Sequence, residues 1–106
     1  MKEIGKATPE QIKQWKAKYG DVYFIKAETD DAVHWVYVRK PDMDTIEAVA
    51  QKTKTNEVAG ARLMLNSIFI GGSEVAIKEQ DAGLTLGLME QIGELTKKAK
   101  TSLGKL

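Results

Sequence analysis

The sequence predicts an α+β protein: an N-terminal helix, an antiparallel β-hairpin, then a mostly helical C-terminal two-thirds. Three observations predict it. Thr8-Pro9-Glu10-Gln11 has the form of a helix capping box with proline at the first helical position. Residues 21–39 are dense in β-branched and aromatic side chains around one polar turn. At Pro41-Asp42 the apolar period changes from two to three and four.

The first helix spans residues 8–19. Ile12, Trp15 and Tyr19 form one stripe, Lys13, Lys16 and Lys18 decorate the rest, and Gly20 ends it in a left-handed conformation. The hairpin spans 21–39. Its strands are Asp21 to Ala27 and Ala32 to Arg39, joined by Glu28-Thr29-Asp30-Asp31. In the second strand His34, Val36 and Val38 face one way and Val33, Trp35 and Tyr37 the other. Both faces are largely apolar, and a lone two-stranded ribbon is marginal in water. The first helix is placed to cover one face, and the later helices or a second subunit the other.

The helical part spans 43–103. Pro41 stops the strand and Asp42 caps a helix over Met43 to Lys54, with Ile46, Val49, Ala50 and Thr53 at helical spacing. After a polar break, a third helix starts near Glu57 with Val58, Leu63, Leu65 and Ile68 among its apolar positions. Its Ala59-Gly60-Ala61 permits a close helix approach. Ile70-Gly71-Gly72-Ser73-Glu74 reads as a turn, and Val75-Ala76-Ile77 as a short extended segment. The last helix runs from near Glu79 to Leu103, with Leu84, Leu88, Ile92, Leu95 and Ala99 in one stripe. Leu86 and Met89 lie off that stripe. A helix apolar on more than one side has surface left for a client or a sister subunit, unless the hairpin covers it. Gly83, Gly87 and Gly93 each weaken this helix by about 1 kcal/mol relative to alanine.

The length of 106 residues suits a single domain over 1–106, with 1–6 and 104–106 expected to be flexible. There is no cysteine, so no disulfide framework and no thiolate zinc site. The start Met1-Lys2-Glu3-Ile4-Gly5-Lys6 lacks the apolar stretch of a signal peptide, and no apolar run is long enough to span a bilayer. A cytoplasmic location is expected. The net charge of +1 hides an asymmetry: residues 1–20 carry +3, 94–106 carry +3, and the stretch between carries −5. The basic ends hold lysine without interleaved arginine or aromatics, the composition of solvated helix ends and a tail. Nucleic-acid binding is expected to be weak and salt-sensitive at best.

Catalytic equipment is scarce. His34 is the lone histidine and sits on an apolar strand, which suits a structural side chain. Asp30 and Asp31, with Asp42 or Asp44, lack calcium-loop spacing, and turn and cap roles account for them. Gly71-Gly72-Ser73 lacks the lysine and glycine spacing of a phosphate loop. Gly83 and Gly87 match a membrane helix-packing spacing, but Asp81 and Glu90 beside them exclude it. No catalytic, metal or cofactor residue is expected, and the protein is expected not to be an enzyme. Trp15, Trp35 and Tyr37 suit either a core or partner anchors. The candidate partner-binding residues are Trp35, Tyr37, Leu86 and Met89.

The order of these features resembles the small tail assembly chaperones, and related small tail proteins, of tailed phages and prophages. The resemblance covers residues 8–103. It is carried by the capped helix Thr8 to Lys16, the hairpin ending Tyr37-Val38-Arg39-Lys40-Pro41, and the helix ending Leu63-Met64-Leu65-Asn66-Ser67. The Ile70-Gly71-Gly72-Ser73-Glu74 turn, an acidic start at Asp81 and a leucine-rich last helix with a lysine-rich end complete it. It implies a non-enzymatic protein that binds a helical, aggregation-prone tape-measure client before tail-tube subunits polymerise, with no cofactor; the excess of apolar helix surface suits a protein that wraps such a client or self-associates as a homo-oligomer. Two alternatives stay open: a structural subunit of a phage particle, such as a tail or head-completion protein, and a small protein-interaction module.

Overall fold

Residues 2–96 and 98–106 are described by a computed structural model. The chain opens with β1 (Lys2–Ile4), followed by α1 (Pro9–Tyr19), β2 (Val22–Glu28), β3 (Ala32–Arg39), α2 (Met43–Thr55) and α3 (Glu57–Ile68). It ends with β4 (Phe69–Gly72), α4 (Glu74–Ile77) and α5 (Ala82–Leu95). The architecture is α+β: one four-stranded sheet with helices on both faces.

The local signals produce the elements they announce. The Thr8 hydroxyl accepts from the Gln11 N–H at 3.2 Å, and the Gln11 side chain accepts from the Thr8 N–H at 2.9 Å, so both halves of the capping box are made. Gly20 follows α1 at φ +81°. Asp42, Asn56 and Asp81 cap α2, α3 and α5 by accepting from Thr45, Ala59 and Leu84 N–H groups at 2.8, 3.1 and 3.0 Å.

The sheet departs from a single hairpin. β3 is its central strand. β2 runs antiparallel along the whole of one edge, from Val22 opposite Arg39 to Glu28 opposite Val33. The other edge is shared end to end. β1 pairs parallel with Ala32, Val33 and His34, and β4 pairs antiparallel with Val36, Tyr37 and Val38, its register skipping Ile70. Two expectations are therefore corrected. Residues 2–4 of the segment expected to be flexible form a strand, held by a partner about thirty positions away; Met1 lies outside the described residues. The Gly71-Gly72 step is strand rather than turn. Gly72 takes φ +123°, and a Cβ there would strike the Trp35 carbonyl, so the glycine lets β4 close against β3.

The later helices are also rearranged. Val75-Ala76-Ile77 belongs to α4, where Ala76 is buried, and is not extended. Glu79 at φ +55° breaks the chain before the Asp81 cap. The last helix starts at Ala82 rather than near Glu79 and ends at Leu95, well short of Leu103. Residues 98–103 of the expected helix have no regular structure, and Lys97 lies outside the described residues. Residues 98–106 are exposed, and short helices are marginal without packing.

One core holds the fold. Ile25, Val36 and Val38 on one sheet face pack against Met64, Leu65 and Ile68 of α3, Ala76 of α4, and Leu84, Leu88 and Ile92 of α5. Each such large apolar side chain contributes about 1.5–3 kcal/mol by leaving water. α2 packs against α3, where a Cβ on Gly60 would collide with Thr53; this is the close approach that the small residues allow.

Candidate functional site

Three surface features combine exposed side chains with a defined shape. The first is the sheet face opposite the core, where alternation places Phe24, Lys26, Trp35 and Tyr37 together. α1 crosses this face, and Trp15 meets Tyr37 with ring centroids 5.2 Å apart. Trp35 stacks beside Tyr37 at 6.5 Å and meets Phe24 at 5.5 Å. The Lys6 and Lys26 ammonium groups stand 5.3 and 5.7 Å from the Trp35 ring centre.

Of the expected anchors, Tyr37 is spent on the fold. It is buried, and its phenol oxygen accepts from the Ala7 N–H at 3.1 Å. This bond ties the loop between β1 and α1 to the sheet. Trp35 is half-buried beneath its two lysines, with Nε1 buried and unpartnered among the described residues. Phe24, which sequence reasoning passed over, is the exposed ring of this face, at 64%. Alternation with Ile25 puts position 24 on the face opposite the core, which Tyr37 shares, and the packing of that face decides which ring stays exposed.

The second feature is a groove of about 250 Å³ between α3 and α5, lined by Val58, Arg62, Glu79, Ala82, Leu86 and Met89, with Thr85. Leu86 is 67% exposed and Val58 53%, and Met89 is half-buried. Arg62 Nε donates to Glu79 Oε1 at 2.5 Å across one side of the groove. The structure thus brings Leu86 and Met89 together and separates them from Trp35 and Tyr37, which lie on the far side of the sheet. Val58, expected among the apolar positions of the third helix, does not face the core. It sits in the first turn of α3, past the end of the core, and joins Leu86 instead.

The third feature, the most voluminous, is a groove of about 570 Å³ between the β2–β3 hairpin and α5. Glu28, Asp30, Asp31, Asp81 and Glu90 line it, and Gly83 and Gly87 form part of the helix side. Its rim carries five carboxylates and its lining is more polar than apolar, so it is a poorer seat for an apolar helix than the α3–α5 groove. Among the described residues, no three His, Cys, Asp or Glu side chains come together in a way that would hold a metal.

Inside the molecule, His34 and Ser73 form a buried polar pair, with Nδ1 and Oγ 2.7 Å apart. The pair joins β3 to the start of α4 and faces no groove. Among the described residues, the clear electrostatic perturbation is at Asp42. Hydrogen bonds from the Thr45 N–H and hydroxyl, with a smaller contribution from the Arg39 charge, hold its carboxyl below the ordinary value of 3.8. This is the signature of a helix cap. No described helix is long and apolar enough to cross a membrane.

No family model matches the chain, and no curated protein matches it. Among solved structures, an uncharacterised protein of Bacillus stearothermophilus is similar in fold: the TM-score is 0.57 at 22% identity, covering 88% of this chain and 99% of that one. At that identity the likeness speaks to the fold alone.

Proposed function

We propose that this protein is a non-enzymatic binding protein of the phage tail assembly chaperone kind, which seats an amphipathic helix of a tape-measure-like client in the α3–α5 groove. The observation that carries the reading is the pairing of Leu86 and Val58, two exposed apolar residues on facing helices, around a groove with Met89 at its floor. Helix-in-groove recognition takes apolar anchors at spacings of three and four, and the Arg62–Glu79 pair supplies charge at the rim to orient them. The host cytoplasm, where such clients are made, is the setting this role requires.

Co-expression with a tape-measure segment tests the reading. Wild-type protein is expected to co-purify with the helical segment and keep it soluble. Leu86→Glu and Met89→Glu are expected to lose that capture while retaining the wild-type circular dichroism spectrum. Capture that survives both changes rules out this groove.

A second reading, a structural subunit of a phage particle, is favoured by a different observation. Strand β2 ends the sheet, its outer edge unpaired among the described residues, with an exposed Phe24, a surface on which neighbours add strands. Under that reading Phe24→Glu, rather than Leu86→Glu, disrupts assembly.

A further inference from the structure

We propose that the open edge of β2 pairs with the same edge of a second copy, antiparallel and two-fold symmetric about Ile25. The inference does not depend on the α3–α5 groove, which lies elsewhere on the molecule.

The backbone sets the register. The Thr29 N–H donates to the Ala32 carbonyl at 2.9 Å and closes the hairpin. Counting back along an antiparallel ladder, the polar groups of Ala27, Ile25 and Tyr23 face β3, and those of Val22, Phe24, Lys26 and Glu28 face outward. The Trp35 carbonyl agrees: it accepts from the Ser73 N–H at 2.8 Å on the far side of β3, so Trp35 and its opposite number Lys26 do not bond to each other. Among the described residues, no other strand takes up the outward groups of β2.

A two-fold axis at Ile25 uses all of them. Phe24 then exchanges both backbone bonds with Lys26 of the second copy, and Val22 does so with Glu28. No like charges stand directly opposite, and each exposed Phe24 ring gains a lysine neighbour. Shifting the axis to Lys26 would set two lysines against each other. Charge complementarity extends past the strand. The hairpin tip carries Glu28, Asp30 and Asp31, whereas its base carries Lys18, Arg39 and Lys40 around one acid, Asp21, and is net positive. The antiparallel arrangement lays the tip of each copy beside the base of the other. Room is available: the groove between the hairpin and α5 runs along this edge, and a Cβ on Gly87 would meet nothing within 4 Å.

The chain has no cysteine, so directed cross-linking is clean. A hydrogen-bonded antiparallel pair holds its Cα atoms about 5.5 Å apart, within disulfide reach. Wild-type protein is expected to sediment as a dimer at micromolar concentration. Phe24→Cys mixed with Lys26→Cys is expected to oxidise to a reducible covalent dimer. Either variant alone is two residues out of register, beyond about 7 Å, and is expected to give little. Lys26→Pro removes an N–H that the monomer does not use. It is expected to weaken dimerisation at least roughly tenfold while melting near wild type. A wild-type monomer throughout, cross-linking without preference for the mixed pair, or a dimer that survives Lys26→Pro would overturn the proposal.

Discussion

His34 on β3 and Ser73 at the start of α4 are hydrogen-bonded at 2.7 Å, both buried, thirty-nine residues apart in the chain. The bond fixes the junction between β4 and α4 against the central strand, beside the Ser73 N–H bond to the Trp35 carbonyl. Ser73→Ala leaves the buried imidazole nitrogen without its partner. It is expected to lower stability by about 1–3 kcal/mol. Urea unfolding should show a lower midpoint with an unchanged slope.

Gly72 and Gly87 are expected to respond to alanine in opposite directions. Gly72 sits at φ +123° against the Trp35 carbonyl, so Gly72→Ala should cost about 1–3 kcal/mol from backbone strain, with the collision added. Gly87 is helical with open space where its Cβ would lie, so Gly87→Ala should raise stability by about 1 kcal/mol. Paired thermal melts of the two variants check both signs.

Leu86 and Leu88, two positions apart on α5, separate surface from core. Leu88 is fully buried, and Leu88→Ala is expected to cost about 2–5 kcal/mol. Leu86 is 67% exposed, and Leu86→Ala should change stability by no more than about 0.5 kcal/mol. A large loss at Leu86 in denaturant melts would mean that it is packed, and would remove it from the candidate groove.

The Asp42 cap should give a defined pH dependence. Its folded carboxyl titrates below the ordinary value of 3.8, so its contribution is fully present above that value. It is lost as pH falls through the lower, folded-state value. Asp42→Ala should therefore lower the melting temperature at pH 7. The gap to wild type should close only below about pH 4. Asp42→Asn retains an acceptor for the Thr45 N–H and should keep part of the cap without this pH dependence.

The boundary between what was legible and what was not follows the range of the interactions. The capping box at Thr8, the cap at Asp42, and the alternation of Val36 and Val38 are all local patterns, and each announced its element. So did the stripe of Leu84, Leu88 and Ile92, although the Asp81 cap was passed over for a start near Glu79. The off-stripe positions of Leu86 and Met89 were readable for the same reason, because helical spacing alone separates them from the core. Strands β1 and β4 were not readable. Three or four residues carry no usable period, and Gly71-Gly72 is a turn signal by every local rule. These segments are strands because β3 offers them an edge, one from far along the sequence in each direction. Tertiary structure also decided the fate of two aromatics that the sequence left equivalent. α1 and the Ala7 N–H enclose Tyr37, while Phe24 stays exposed. Periodicity and capping act within a few residues and are written in the sequence. Strand pairing and burial depend on which distant surfaces meet, and only the folded chain supplies those partners.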